Sequence, residues 1–358
     1  MPFDARITRR ALLAAVSGAM GAARAQTGST IPPEFRRYAD AATETPVTRL
    51  TDPAHTSFLP APHLAAVNRH GSLLLYANDR SGQMQLYRMD LKSGASHQLT
   101  AAEPVLPGAA TLLPGERNIA YMAGHALIVR PFRPGPERAV YRAPDGFEFT
   151  GGFSVSGDGA FAAVVEKSEP EKSSATWRLQ RVSLLHGDAT TLADSHDEIR
   201  DPMARPGTSE ILFREGDRLR LQNRTLMPAS GPVGPCLWSP DGASVLYLDA
   251  NGTIRELNVT TGADVLVSRT SRFASFGRNA DASVFVGASA SKASPAVLLL
   301  LRSVRREFTL CEHRASDPAL VAPRFSPNSQ TVLFQSDKNG KMALYAVNVE
   351  RLVEKTET

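Results

Sequence analysis

One short pattern recurs along this chain and restricts what it can fold into. Near the C-terminus, Phe325-Ser326-Pro327-Asn328-Ser329 leads into Val332-Leu333-Phe334, then Ser336-Asp337-Lys338-Asn339-Gly340, then Leu344-Tyr345-Ala346-Val347. Pro fixes φ and Asn tolerates positive φ, so the first stretch is a turn. The apolar runs are strand formers, and Asn-Gly suits a tight hairpin. The unit therefore reads strand, turn, strand, turn, strand. It returns as Leu73-Leu74-Leu75-Tyr76 with Asn78-Asp79-Arg80-Ser81-Gly82, as Leu113-Pro114-Gly115 before Ile119-Ala120-Tyr121, and as Ser156-Gly157-Asp158-Gly159 before Phe161 to Val165. It returns again as Arg205-Pro206-Gly207 before Ile211-Leu212-Phe213, as Trp238-Ser239-Pro240-Asp241-Gly242 before Val245 to Leu248, and as Asn279-Ala280-Asp281 before Val284 to Val286.

From Tyr76 to Phe334 the repeats step by roughly 43 residues, the length of one four-stranded propeller blade. Seven such units predict an all-β chain, a seven-bladed β-propeller of four-stranded blades, in which ring closure protects the sheet edges. No long 3.6-residue period competes with this reading. The early strand signals around Val47 and Leu64 are expected to complete the last blade. One ring is one domain, expected over residues 46–350, with a polar tail at 351–358 and an extended linker at 26–45.

Residues 1–25 have a different character. Thr8-Arg9-Arg10-Ala11-Leu12-Leu13 is a twin-arginine pattern, an Ala-rich apolar run follows to Met20, and Ala23-Arg24-Ala25 offers a cleavage site. The run is too short to span a bilayer. The expectation is an export signal and a periplasmic or secreted protein. The whole chain carries a formal charge of +4. The signal holds four arginines against one aspartate, so the mature chain is left at about +1. That balance argues against nucleic acid or an anionic membrane as partner, and a monomer is expected. Cys236 and Cys311 are the two cysteines. They fall in different repeats, and two separate buried thiols are expected rather than a bridge.

Catalytic signatures are sparse. No nucleophile elbow, metalloprotease helix, phosphate loop or Cys-x-x-Cys pair occurs. Asp79 and Asp337 occupy the same hairpin position of their repeats, which reads as turn capping. None of the eight histidines stands two to four residues from another. No pattern places His63 or His70. His313 lies just before the seventh unit, in an inter-blade position, and is the first candidate base. His196, flanked by Asp194 and Asp197, is the second. Arg200, Arg314 and Arg324 are candidate carboxylate contacts, because a guanidinium matches a carboxylate bidentately.

The sequence resembles the oligogalacturonate lyase family of seven-bladed propellers. Asn78 to Gly82 with Leu86-Tyr87-Arg88-Met89-Asp90-Leu91 and Gln98-Leu99-Thr100 resembles its first blade. Leu237 to Gly242 resembles its Trp-Ser-x-Asp-Gly blade start, and His313 through Arg324-Phe325-Ser326-Pro327 to Asp337 its last blade. The Ser-Pro-Asp-Gly turns are also similar to those of the periplasmic Tol-Pal propeller. The resemblance implies an acidic oligosaccharide as ligand, β-elimination as reaction, and a divalent ion such as Mn²⁺ on imidazole and amide ligands. At those positions this chain carries Leu320 and Ala322 for two histidines, Asp317 for a Gln, and Pro235-Cys236 for a His-Glu pair. No metal ligand set is therefore expected, and Mn²⁺ would need other residues to hold it. The alternative reading is a non-catalytic periplasmic propeller that serves as a protein-interaction or ligand-binding platform.

Overall fold

The computed structural model describes residues 28–133, 135–168 and 174–353. The expected signal at 1–25 lies outside them, as does most of the expected tail. Seven antiparallel sheets form the seven blades of a propeller. Their innermost strands are Ser57–Phe58 (blade I), Val105–Leu112 (II), Glu148–Val155 (III), Ile199–Ala204 (IV), Cys236–Trp238 (V), Phe273–Arg278 (VI) and Arg324–Phe325 (VII).

The recurring turn has a physical cause that four blades share. In blade V, Ser239 Oγ donates to Asp241 Oδ1 at 2.6 Å and accepts from Ser244 N at 2.9 Å. Asp241 Oδ1 also accepts from Ala243 N, and Gly242 takes φ +68°. Blade III repeats this with Ser156, Asp158 and Phe161 N, and blade VII with Ser326, Asn328 and Thr331 N. In blade VI, Asn279 Oδ1 accepts from Val284 N at 3.0 Å. Each Ser or Asn side chain satisfies turn amides that no strand can reach. The same hydrogen bonds hold the Asp158 and Asp241 carboxyls below their usual pKa.

Asp79 and Asp337 do more than cap their own hairpins. Asp79 Oδ1 accepts from Thr56 N at 2.8 Å, and Asp337 Oδ1 accepts from Ser316 N at 2.8 Å. Each staples the loop that enters its blade.

The blades are four-stranded as expected, and two of them carry a fifth strand at the rim. Pro46–Arg49 pairs with the third strand of blade VII through Val47↔Val347, and Arg36–Ala39 pairs outside it. Thr30–Ile31 adds to the rim of blade I through Thr30↔His97. The stretch read as a linker is thus a strap that hydrogen-bonds to both blades at the ring's closure. Val47 completes the last blade as expected. Leu64 does not: it belongs to the inner segment of blade I, where Val67 bridges to Leu74. Strands of two to four residues carry no readable period, and that hid the strap.

The blades bury their faces against one another. Tyr76, Tyr87, Tyr121, Tyr247 and Tyr345 are fully buried, as are Phe153, Phe213, Phe276, Phe285 and Phe334. Phe334 stacks on Tyr345 at 5.2 Å between centroids. One apolar cluster runs from blade VI through blade VII to Val47 of the strap. Gly277 lets blades VI and VII meet at the axis, since a Cβ there would stand 2.5 Å from the Pro323 carbonyl oxygen. Cys236 and Cys311 are free thiols, and burial pushes each up to about 12. Among the described residues no helix is long and apolar enough to cross a membrane.

Candidate functional site

The inner strands converge on a central cavity of about 460 Å³. Its wall includes His63, Arg278 and Arg324, and no Asp or Glu among the described residues. Each of the three is held by the way its strand departs from the blade.

Arg324 begins the inner strand of blade VII and is only 7 % exposed. Blade I's inner segment turns inward at residues 60–64 and wraps it. Nη1 donates to Ala61 O at 3.2 Å and Leu64 O at 3.4 Å, and Nη2 donates to Pro60 O. Those bonds use three of the five donors a guanidinium owns. Nε is buried with no partner. Burial alone pushes this guanidinium down to about 10, because no carboxylate faces it. A buried charge without a counter-ion is costly in a fold of this kind. Its field falls on the cavity.

Arg278 ends the inner strand of blade VI. Nε donates to Trp238 O at 2.8 Å, and Nη1 donates to the carbonyls of Asn279 and Ala280. Burial lowers its pKa as well, partly offset by Asp241 and Asp281 in the neighbouring turns.

His63 belongs to the segment that wraps Arg324. Its Nε2 donates to Phe153 O at 2.8 Å. A carbonyl only accepts, so Nε2 carries the proton and Nδ1 holds a lone pair. Among the described residues nothing bonds that Nδ1. Burial lowers the His63 pKa, the Phe153 bond and Asp201 work against it, and Arg324 adds to it. The ring is neutral at pH 7. A neutral imidazole with a free lone pair on a cavity wall is the geometry of a proton acceptor. Beside it, Asp201 takes φ +51° and pairs with Arg214 Nη2 at 2.5 Å, which ties blade IV's entry to its second strand.

Of the five residues expected from sequence, only Arg324 reaches this cavity. His313 is fully buried between blades VI and VII. Its Nε2 donates to Ser289 O at 3.0 Å, its Nδ1 accepts from Ala315 N at 3.0 Å, and its carbonyl accepts from Ser336 Oγ. With both ring nitrogens used, it has no lone pair for a proton or a metal, and it acts as a structural pin. Arg314 is exposed on the outer side and pairs with Glu312. His196 is exposed, its Nδ1 donating to Ala175 O at 3.1 Å, and Arg200 pairs with Glu198 at 3.3 Å. The five do not converge. His63 and Arg278 were missed, because only closure of the ring brings blades I and VI alongside Arg324 of blade VII. The one sequence signal was an Arg at 278, where blade V has Ser239 or Trp238.

The positions at which the resemblance implies metal ligands do not fit one. Leu320 is 46 % exposed and offers no lone pair from its side chain. Ala322 likewise offers none. Asp317 Oδ1 is engaged as the cap of the 3₁₀ turn Pro318–Val321, accepting from Ala319 N at 2.9 Å. The Cys236 thiol is held protonated by burial. Among the described residues no group of three or more His, Cys, Asp or Glu could hold a metal ion.

Fold and cavity define a seven-bladed propeller with a cationic central cavity that has no Asp or Glu among its described lining residues. Known proteins of that architecture include oligogalacturonate lyases, to which the chain is similar along most of its length. It is 25 % identical over 382 residues to an oligogalacturonide lyase of Pectobacterium atrosepticum, covering 90 % of this chain and 98 % of that protein. It is 22 % identical, at the same coverage, to an oligogalacturonate lyase of Dickeya dadantii. A solved oligogalacturonate lyase in complex with manganese superposes with a TM-score of 0.82 at 24 % identity, over 90 % of this chain and 98 % of its own. An oligogalacturonate lyase structure from Vibrio parahaemolyticus gives the same TM-score at 22 % identity, over 90 % of this chain and 99 % of its own. No family model matches the chain.

Proposed function

We propose that the central channel binds an acidic oligosaccharide of the oligogalacturonate kind. The observation that carries this reading is the cavity wall: a buried arginine, a half-buried arginine and a histidine, with no carboxylate among the described lining residues. Fixed cations in a low-dielectric cleft draw an anion more strongly than the same charges at a surface. The uncommitted Arg324 donors would meet a uronate carboxylate. The likeness to lyases of such sugars, over nine-tenths of the chain, supports the same ligand class.

Within that reading His63 is the group that can do chemistry. Its Nδ1 would take the proton α to the uronate carboxyl. The C–H electron pair becomes the new C=C bond, and the glycosidic oxygen leaves with its pair. Arg324 and Arg278 would offset charge as it builds on the carboxylate. The second reading, a propeller that binds the sugar without cutting it, is favoured by Leu320 and Ala322 at the implied ligand positions.

Calorimetry with digalacturonate tests the first claim, and ultraviolet absorbance of the unsaturated product separates the two readings. Saturable binding that Arg324→Met weakens about tenfold or more is expected. No binding to the wild type retires the channel reading. Binding without product leaves the platform.

The twin-arginine pattern supports export to the periplasm, where pectin fragments would meet the protein. Fractionation of cells, with a mature N-terminus at Gln26, is the expected result. A cytoplasmic chain starting at Met1 would overturn it.

A further inference from the structure

A second cavity, of about 390 Å³, lies on the outside of the ring between blades VI and VII. Its walls come from three places. The strap supplies Arg36, Tyr38, Asp40 and Arg49. Blade VI's exit supplies Glu312 and Arg314, and blade VII's hairpin supplies Lys338 and Asn339. The two acids are already committed. Asp40 Oδ1 accepts from Ala42 N, Thr43 N and Thr43 Oγ1, and its Oδ2 accepts from Glu312 N. Glu312 is held by Arg314 Nε at 2.6 Å.

Among the described residues Arg36, Arg49 and Lys338 have no carboxylate partner. Lys338 Nζ donates to Glu312 O at 2.9 Å and lies 5.3 Å above the Tyr38 ring. Tyr38 Oη and Arg49 Nε are buried and have no hydrogen-bond partner. Buried orphan donors are rare, and each calls for a partner that the protein does not supply. Burial raises the Tyr38 pKa, so its hydroxyl remains a donor. The groove therefore offers three cations without a carboxylate partner, one of them seated on the Tyr38 ring, and two unmet donors, within a space that suits a small ligand.

We infer that this outer groove is a second anion site, taking the carboxylate of an acidic sugar on Arg36, Arg49, Lys338 and Tyr38. The site is separate from the channel and stands or falls without it. It would hold one end of a long acidic chain while the channel holds another, and two linked contacts raise the effective concentration at each.

The test is the stoichiometry of digalacturonate binding to the mature chain, by calorimetry. The wild type is expected to bind two molecules. The double variant Arg36→Ala with Arg49→Gln is expected to bind one, and Arg324→Met to weaken the other. Tyr38→Phe removes one hydroxyl and leaves the ring, so folding is safe, and it is expected to weaken the outer site about tenfold. Arg36 is exposed, so its alanine variant also folds. A wild-type stoichiometry of one that only Arg324→Met affects overturns the proposal and keeps the channel. A single site lost in the Arg36 and Arg49 variants keeps the proposal and retires the channel. Inorganic phosphate is the control probe: a groove that takes phosphate and refuses digalacturonate also overturns the inference.

Discussion

His63 and His313 begin alike and end differently. Each donates from Nε2 to a backbone carbonyl, Phe153 O for one and Ser289 O for the other. Burial lowers the pKa of both. The other nitrogen separates them. At the seam of blades VI and VII, Ala315 N fills the His313 Nδ1. On the channel wall the His63 Nδ1 is left open. The arginines repeat the contrast, since Arg314 of the seam has Glu312 while Arg324 of the channel has three carbonyls and no acid. Around His313 the seam satisfies its polar groups and stabilises. The channel leaves charge and lone pairs unmet, and those are what a ligand can use. Depth of burial runs in opposite directions in the two pairs, with His313 more buried than His63 and Arg314 less buried than Arg324, so it is the hydrogen-bond account that tells the regions apart.

The largest effect belongs to the seam. His313→Ala would leave the Ser289 carbonyl and the Ala315 amide without partners and open a cavity. A loss of about 4 kcal/mol is expected, read by urea unfolding. Digalacturonate affinity of the folded fraction should not change. A change in affinity at constant stability would return His313 to the candidate site.

Gly277→Ala probes the point where seam and channel touch. A Cβ 2.5 Å from Pro323 O must push blade VI off blade VII, and the listing of the two blades should cost about 2 kcal/mol. Because Arg324 follows Pro323, this variant should also weaken the ligand. Lost stability with unchanged affinity would separate the two regions more sharply than drawn above.

Arg324→Met should do the reverse of His313→Ala. Replacing an unpaired buried charge with an apolar chain of similar length removes that charge's desolvation cost but leaves the carbonyls of Pro60, Ala61 and Leu64 without their donor, so a modest stability loss of about 1–2 kcal/mol is expected. The cost should appear in binding. A large loss of stability would mean that Arg324 is a structural clamp on residues 60–64, like His313 in its seam.

The difference in legibility follows the same line. The turns were legible because Ser239, Asp241 and Gly242 act on amides within five residues of themselves, so their chemistry is local. The seven blades follow from such turns and from the apolar runs between them. Of the site only Arg324 was legible. His63, Arg278 and Arg324 lie 46 to 261 residues apart in sequence and meet only because the ring closes. His313 was readable as an inter-blade residue, and its role was not, because Ser289 and Ala315 decide it from two directions. The strap was missed for the opposite reason: Arg36–Ala39 and Pro46–Arg49 are too short to show a period.

The smallest expected effect is in the pH dependence, and it can divide the two histidines. Both have folded pKa values below the unfolded value of about 6.5. Between those values the unfolded chain binds more protons, so stability is full above pH 6.5 and falls as pH drops toward the folded pKa. Each ring contributes at most one proton to the slope, about 1.4 kcal/mol per pH unit. A bound carboxylate in the channel favours charged His63 and raises its folded pKa, but it cannot reach His313. Digalacturonate should therefore flatten part of the acid slope, and its affinity should rise as pH falls. His63→Gln should remove that ligand-dependent part and leave the rest. A slope that the ligand does not touch in the wild type would mean that no anion sits beside His63, and the contrast between channel and seam would lose its functional half.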